Sequence, residues 1–208
     1  MRGIEPEEYG LSIHFDKGEP GLLASLVEQV VELLDPDDLA RRQHTARSAA
    51  KDSGEDPFPQ DPFARWEADF SAEVGGSVDD PNAGLDLDDP VVRRIFPDAY
   101  PDDPAASHDF RRFTQTQQRD QKVTDAQVVL ADLAVTGRKG VCHVEAESVT
   151  AWLKTLTAVR LALAARLGIV DETSASEVAE LPEDDPRSWV YELYQWTAWV
   201  QECLLGTL

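Results

Sequence analysis

Residues 146–168 read AESVTAWLKTLTAVRLALAARLG. Val149, Trp152, Leu153, Leu156, Leu163 and Leu167 recur at the period of an α-helix with one apolar face, and Gly168 is placed to stop it. This is the strongest helical signal in the chain, and it sets the expectation of a mostly α fold. One residue breaks the stripe: Arg160 lies four after Leu156 and three before Leu163. A guanidinium there must reach out to water or find a partner, because burying it unpaired is very costly. The expectation is a partly buried structural ion pair between Arg160 and an Asp or Glu.

Towards the N-terminus, Gly137 and Gly140 lead into 141–144, a short strand on which Cys142 and Val144 share a face. Before it, Asp103-Pro104 has the form of an N-cap followed by proline at the first helical position. The helix it opens, 104–135, is expected to turn Phe110, Phe113, Ala126, Val129, Leu130 and Leu133 inward, with a break within 120–124. Towards the C-terminus, Asp185-Pro186 repeats the cap signature and opens a helix over 186–205 that is apolar almost all round. Trp189, Leu193, Trp196, Val200 and Leu204 are expected to fill its packed stripe. Tyr191, Trp199 and Leu205 are then left over as candidates for contact with a partner or a second copy. Near the start, Leu11, Ile13 and Phe15 alternate with Ser12 and His14, as in a half-buried strand. Pro20 begins a helix to Leu34 with Leu22, Leu23, Leu26, Val27 and Val30 on one face, and a more polar helical piece is expected to continue to about Ala50. The sum is a single domain over 1–208: a helical bundle with up to two short β-strands, its core built from helices 20–34, 104–135, 146–167 and 186–205.

A long acidic, proline-rich loop segment at about 48–103 interrupts the bundle. From Ser48 to Asp109 there are 16 acids and 4 bases, and 8 of the 13 prolines fall there. Stretches 48–61 and 77–89 are expected to be exposed loops, with a short helical insert over 62–74 carrying Phe63, Trp66 and Phe70.

Charge narrows the partners. With 40 Asp and Glu against 19 Lys and Arg, the 208-residue chain carries a formal −21. That field opposes direct binding of nucleic acid and of anionic membrane surfaces, and favours a basic protein surface. No apolar run approaches the roughly 18 residues of a membrane span. The opening MRGIEPEEYG places acids and a proline where an export signal would be basic and then apolar. A cytoplasmic protein is expected.

Chemistry-bearing motifs are sparse. Cys142 and Cys203 stand 61 positions apart, outside any zinc or C-x-x-C spacing. They are the redox candidates, yet two packed thiols is the plainer expectation. His14, His44, His108 and His143 have no metal-motif company. If strands 11–15 and 141–144 pair, however, His14 and His143 become neighbours on the polar side. The run 79–89 fails the EF-hand frame, since Leu85 occupies the glycine position. No catalytic residue, metal site or cofactor is expected.

Two blocks carry a resemblance. One is Ile95-Phe96-Pro97-Asp98-Ala99-Tyr100 with Asp102-Asp103-Pro104 and Asp109-Phe110-Arg111-Arg112-Phe113-Thr114. The other is Ala151-Trp152-Leu153-Lys154-Thr155-Leu156 with 160–169. With the Trp/Tyr-rich C-terminal helix they resemble an actinobacterial domain-of-unknown-function family, number twenty-seventeen. The resemblance implies a mostly helical cytoplasmic protein, often encoded near the ClpS adaptor of the Clp protease. Some members are named as oxidative-stress transcriptional regulators, and thiol chemistry of that kind would fall on Cys142 and Cys203. The reading that follows is a non-enzymatic regulatory protein acting through protein contacts, in stress response through a transcriptional partner or in Clp-linked proteostasis. The competing class is an enzyme with a cryptic histidine/carboxylate metal site.

Overall fold

The structure, a computed structural model, describes residues 1–35, 85, 88–137 and 139–207. Three strands and six helices follow in order among them: β1 (Gly3–Glu7), β2 (Gly10–His14), α1 (Glu19–Leu34), α2 (Pro90–Ile95), α3 (Pro104–Ala134), β3 (Val141–Glu145), α4 (Val149–Leu167), α5 (Glu172–Ala179) and α6 (Pro186–Leu205). The fold is mostly helical with one small antiparallel sheet.

Helix α4 is the centre. Trp152 and Leu156 are fully buried, and α1, α2, α3 and α6 all pack on it. Gly168 ends it at φ 73°, a left-handed conformation that glycine adopts without strain, and its N–H bonds back to the last turn. The Asp-Pro pairs at 103–104 and 185–186 mark helix starts, as expected. Asp103 accepts from the Ala106 N–H at 3.0 Å, and Asp185 from the Arg187 N–H at 2.8 Å. Asp89 caps α2 in the same way, accepting from Val91 N–H at 2.7 Å.

The sheet has the order β1-β2-β3. Ile13 stands opposite Ile4 and Cys142, and Leu11 opposite Pro6 and Val144. Leu11, Ile13, Cys142 and Val144 are buried, so this face lies on the helices. The other face carries Glu5, Ser12 and His143 in one row, with His14 and Glu7 beside it. Two glycines allow the strands to close. A Cβ on Gly10 would sit 2.1 Å from the Val144 carbonyl oxygen, and one on Gly140, at φ 72°, 2.4 Å from that of Phe15.

Several expectations need correction. There are three strands rather than two: the added one, β1, contains Pro6 and two acids, Glu5 and Glu7, and an edge strand tolerates both. The acidic stretch is not loop to residue 103, because α2 buries Val91, Val92 and Ile95. Helix α3 runs unbroken through 120–124, where no Gly or Pro stands. Phe110 and Phe113 point outward, at 41% and 82% exposure. The inward side of that half-helix belongs to Ser107 and Gln115 instead. The expected helical extension to residue 50, the insert over 62–74, the loops at 48–61 and most of 77–89 lie outside the described residues.

Candidate functional site

Five places gather functional groups. The outer face of the sheet brings together what the sequence had far apart. His143 Nδ1 lies 3.1 Å from Glu7 Oε1, and His14 Nε2 lies 3.7 Å from Glu5 and 3.3 Å from Ser12 Oγ. Glu7 reaches across β2 because its neighbour there is Gly10. Serine and glutamate both approach the same nitrogen of His14, so the trio lacks the relay of a nucleophilic triad, which uses opposite ring nitrogens. The face is open: the His143 side chain is 69% exposed. Among the described residues no cluster of three or more His, Cys, Asp or Glu is arranged to hold a metal ion.

The two cysteines are free thiols in unlike settings. Cys142 is buried, and its Sγ lies 3.5 Å from the Asp132 carbonyl oxygen. Burial pushes its pKa up to about 11, so the reactive thiolate is suppressed. Cys203 is half-buried on α6, more open than the packed position expected for it.

Arg160 is half-buried, as its place on the stripe required, but among the described residues no carboxylate meets it. Nη1 donates to Gln201 Oε1 at 2.8 Å, and the guanidinium lies 5.4 Å from the Tyr194 ring centre. The expected ion pair is therefore a neutral hydrogen bond plus a cation–π contact. Gln201 also donates to Thr157 Oγ1 at 2.8 Å, which ties α4 to α6. The Arg160 Nε is buried without an acceptor among the described residues.

A cleft of about 460 Å³ lies between α2, residues 96–101 and the start of α3. Its charges close on each other: Arg93 bonds Asp88 at 2.9 Å, and Arg111 bonds Asp98. Ser107 Oγ donates to the Tyr100 carbonyl at 2.8 Å and accepts its N–H at 3.0 Å. The cleft is knitted by internal pairs.

Helix α6 is different. Its core stripe is Val190, Leu193, Thr197, Val200 and Leu204. This lies about 40° round the helix from the stripe expected, at about 100° per residue. The shift brings Trp189 out to 50% exposure. Of the three interaction candidates, Trp199 and Leu205 are exposed, at 42% and 54%. Tyr191 instead packs partly on the core, stacks on Tyr194 at 6.2 Å and takes a hydrogen bond from Gln195. Sequence reasoning missed Trp189 as a surface residue, whereas Trp196 packs partly on the core as expected. The available signal was their spacing with Trp199 and Cys203, at intervals of 7, 3 and 4, which forms a second stripe as regular as the first.

A family model described as a domain of unknown function, DUF2017, matches residues 1–208. No curated protein and no solved structure matches the chain.

Proposed function

The chain belongs to the DUF2017 family, and from that premise we propose that it is a non-enzymatic interaction protein whose working surface is helix α6. The observation that carries this reading is the pair of exposed tryptophans, Trp189 and Trp199, on a helix that already buries a full stripe. Large aromatics are expensive to leave in water, and they supply much of the binding energy at protein interfaces. The setting implied by the family resemblance is stress-response regulation through a transcriptional partner, or Clp-linked proteostasis, in the cytoplasm. The test is affinity capture from native cytoplasm, under reducing and oxidising conditions, with wild type and Trp189→Ser/Trp199→Ser. Proteins held by wild type and lost by the variant, with unchanged circular dichroism, are expected. Equal capture by both would sink the reading.

A second reading, an enzyme on a histidine/carboxylate metal site, draws on the meeting of His14, His143, Glu5 and Glu7. Calorimetric titration with zinc distinguishes it. Stoichiometric heat lost in His14→Ala/His143→Ala would favour the metal site over the binder.

A further inference from the structure

We infer that the tryptophan face of α6 accepts a cationic amphipathic helix from a partner protein; this deepens the interaction reading and rests on it. Trp189, Trp196, Trp199 and Cys203 run down one side of α6, turned about 100° from the core stripe. The face is largely apolar, with one acid inside it and another at its edge. Glu192, one turn from both Trp189 and Trp196, is exposed, and so is Glu202, one turn beyond Trp199. From Asp171 onward the chain has nine acids and one base, Arg187, which is itself held by Asp185 at 2.8 Å. An occupant must therefore offer apolar side chains flanked by Lys or Arg.

Lysine and arginine side chains bind the faces of exposed tryptophan rings directly, and Trp189 and Trp199 offer such rings here. Charge argues against a second copy as the occupant. Two α6 faces brought together would juxtapose the same acids within a pair of −21 chains, and like charges facing each other across an interface are strongly unfavourable.

The experiment uses the full chain and a synthetic 18-residue Leu/Lys amphipathic helix, with its Leu/Glu counterpart as control. Binding is read by tryptophan fluorescence and by indole N–H NMR signals. Saturable binding of the Lys peptide is expected, with the Trp189, Trp196 and Trp199 indole signals moving and that of buried Trp152 still. Glu192→Lys/Glu202→Lys should weaken it at least tenfold. Glu28→Lys/Glu145→Lys, an equal change of net charge at exposed sites away from α6, should leave it within twofold. Equal weakening by both pairs would reduce the effect to general attraction and overturn the proposal, as would no binding. A wild-type dimer in sedimentation that Trp199→Ser dissolves would also overturn it, in favour of a second copy. If the peptide fails while the tryptophan variant still loses captured proteins, the partner chemistry falls and the interaction reading stands.

Discussion

Asp132, on α3, touches both the third strand and α4. Its carboxylate accepts the Trp152 indole N–H at 2.8 Å, and its carbonyl oxygen lies 3.5 Å from Cys142 Sγ and 3.2 Å from Thr136 Oγ1. Replacing it with Ala strands the N–H of a fully buried tryptophan, and a loss of about 2 kcal/mol is expected in urea unfolding. Cys142 makes a pH-dependent prediction. Its folded pKa is raised from 9.0 to about 11 by burial, so its contribution to stability is intact below pH 9 and is lost as pH rises through 11. Wild type should lose up to about 2 kcal/mol more than Cys142→Ala between those limits, measured by denaturation at pH 8 and pH 11. Native-state alkylation at pH 8 should modify half-buried Cys203 first. Prior labelling of Cys142 would contradict the assigned burial. The side-chain character of these residues was legible in sequence, but their partners were not. Cys142 was readable as inward-facing from alternation with Val144, whereas Asp132 is one of 40 acids and nothing local marks it.

At the scale of elements, two boundaries were legible because the chain spells its own cap there. Asp103-Pro104 and Asp185-Pro186 begin α3 and α6 at the expected residues. Asp103→Ala should cost about 1 kcal/mol by leaving the Ala106 N–H without its acceptor, read as a drop in melting temperature with helix content kept at low temperature. Helix α5 escaped the sequence reading because it buries only Val178 and so has no apolar periodicity. Its capping box of Asp171 and Ser174 was the signal available. Strand β1 escaped for another reason: Glu5 and Glu7 face outward toward His14 and His143, partners that only the folded sheet brings within reach. The orientation of α6 was misjudged because both of its stripes are apolar, and hydrophobicity alone cannot rank two such faces. Buried Thr197 decides it, since its hydroxyl is satisfied at 2.9 Å by the Leu193 carbonyl and so can enter the core in place of a tryptophan.

For the whole molecule, charge and topology govern behaviour. A chain at −21 repels itself in the compact state, so salt should stabilise the fold. Raising sodium chloride from about 0.05 to about 0.5 M, where screening shortens severalfold, should raise the melting temperature in calorimetry. The same change should weaken peptide binding at α6. A fall in melting temperature with salt would mean that ion pairs such as Arg166 with Asp89, at 3.2 Å, outweigh the net repulsion. The sheet has a consequence in time rather than energy. Leu11 pairs with Val144, 133 positions later. At roughly 5–20 residues per second, a ribosome needs on the order of seven to twenty-seven seconds to make that stretch. Until then the β1–β2 hairpin stands with one strand edge open and Leu11, Ile13 and Phe15 uncovered, a state in which neighbouring nascent chains can pair wrongly. The acid-dense sequence emerging next gives each unfinished chain a like charge, which keeps polysome neighbours apart while the third strand is still being written.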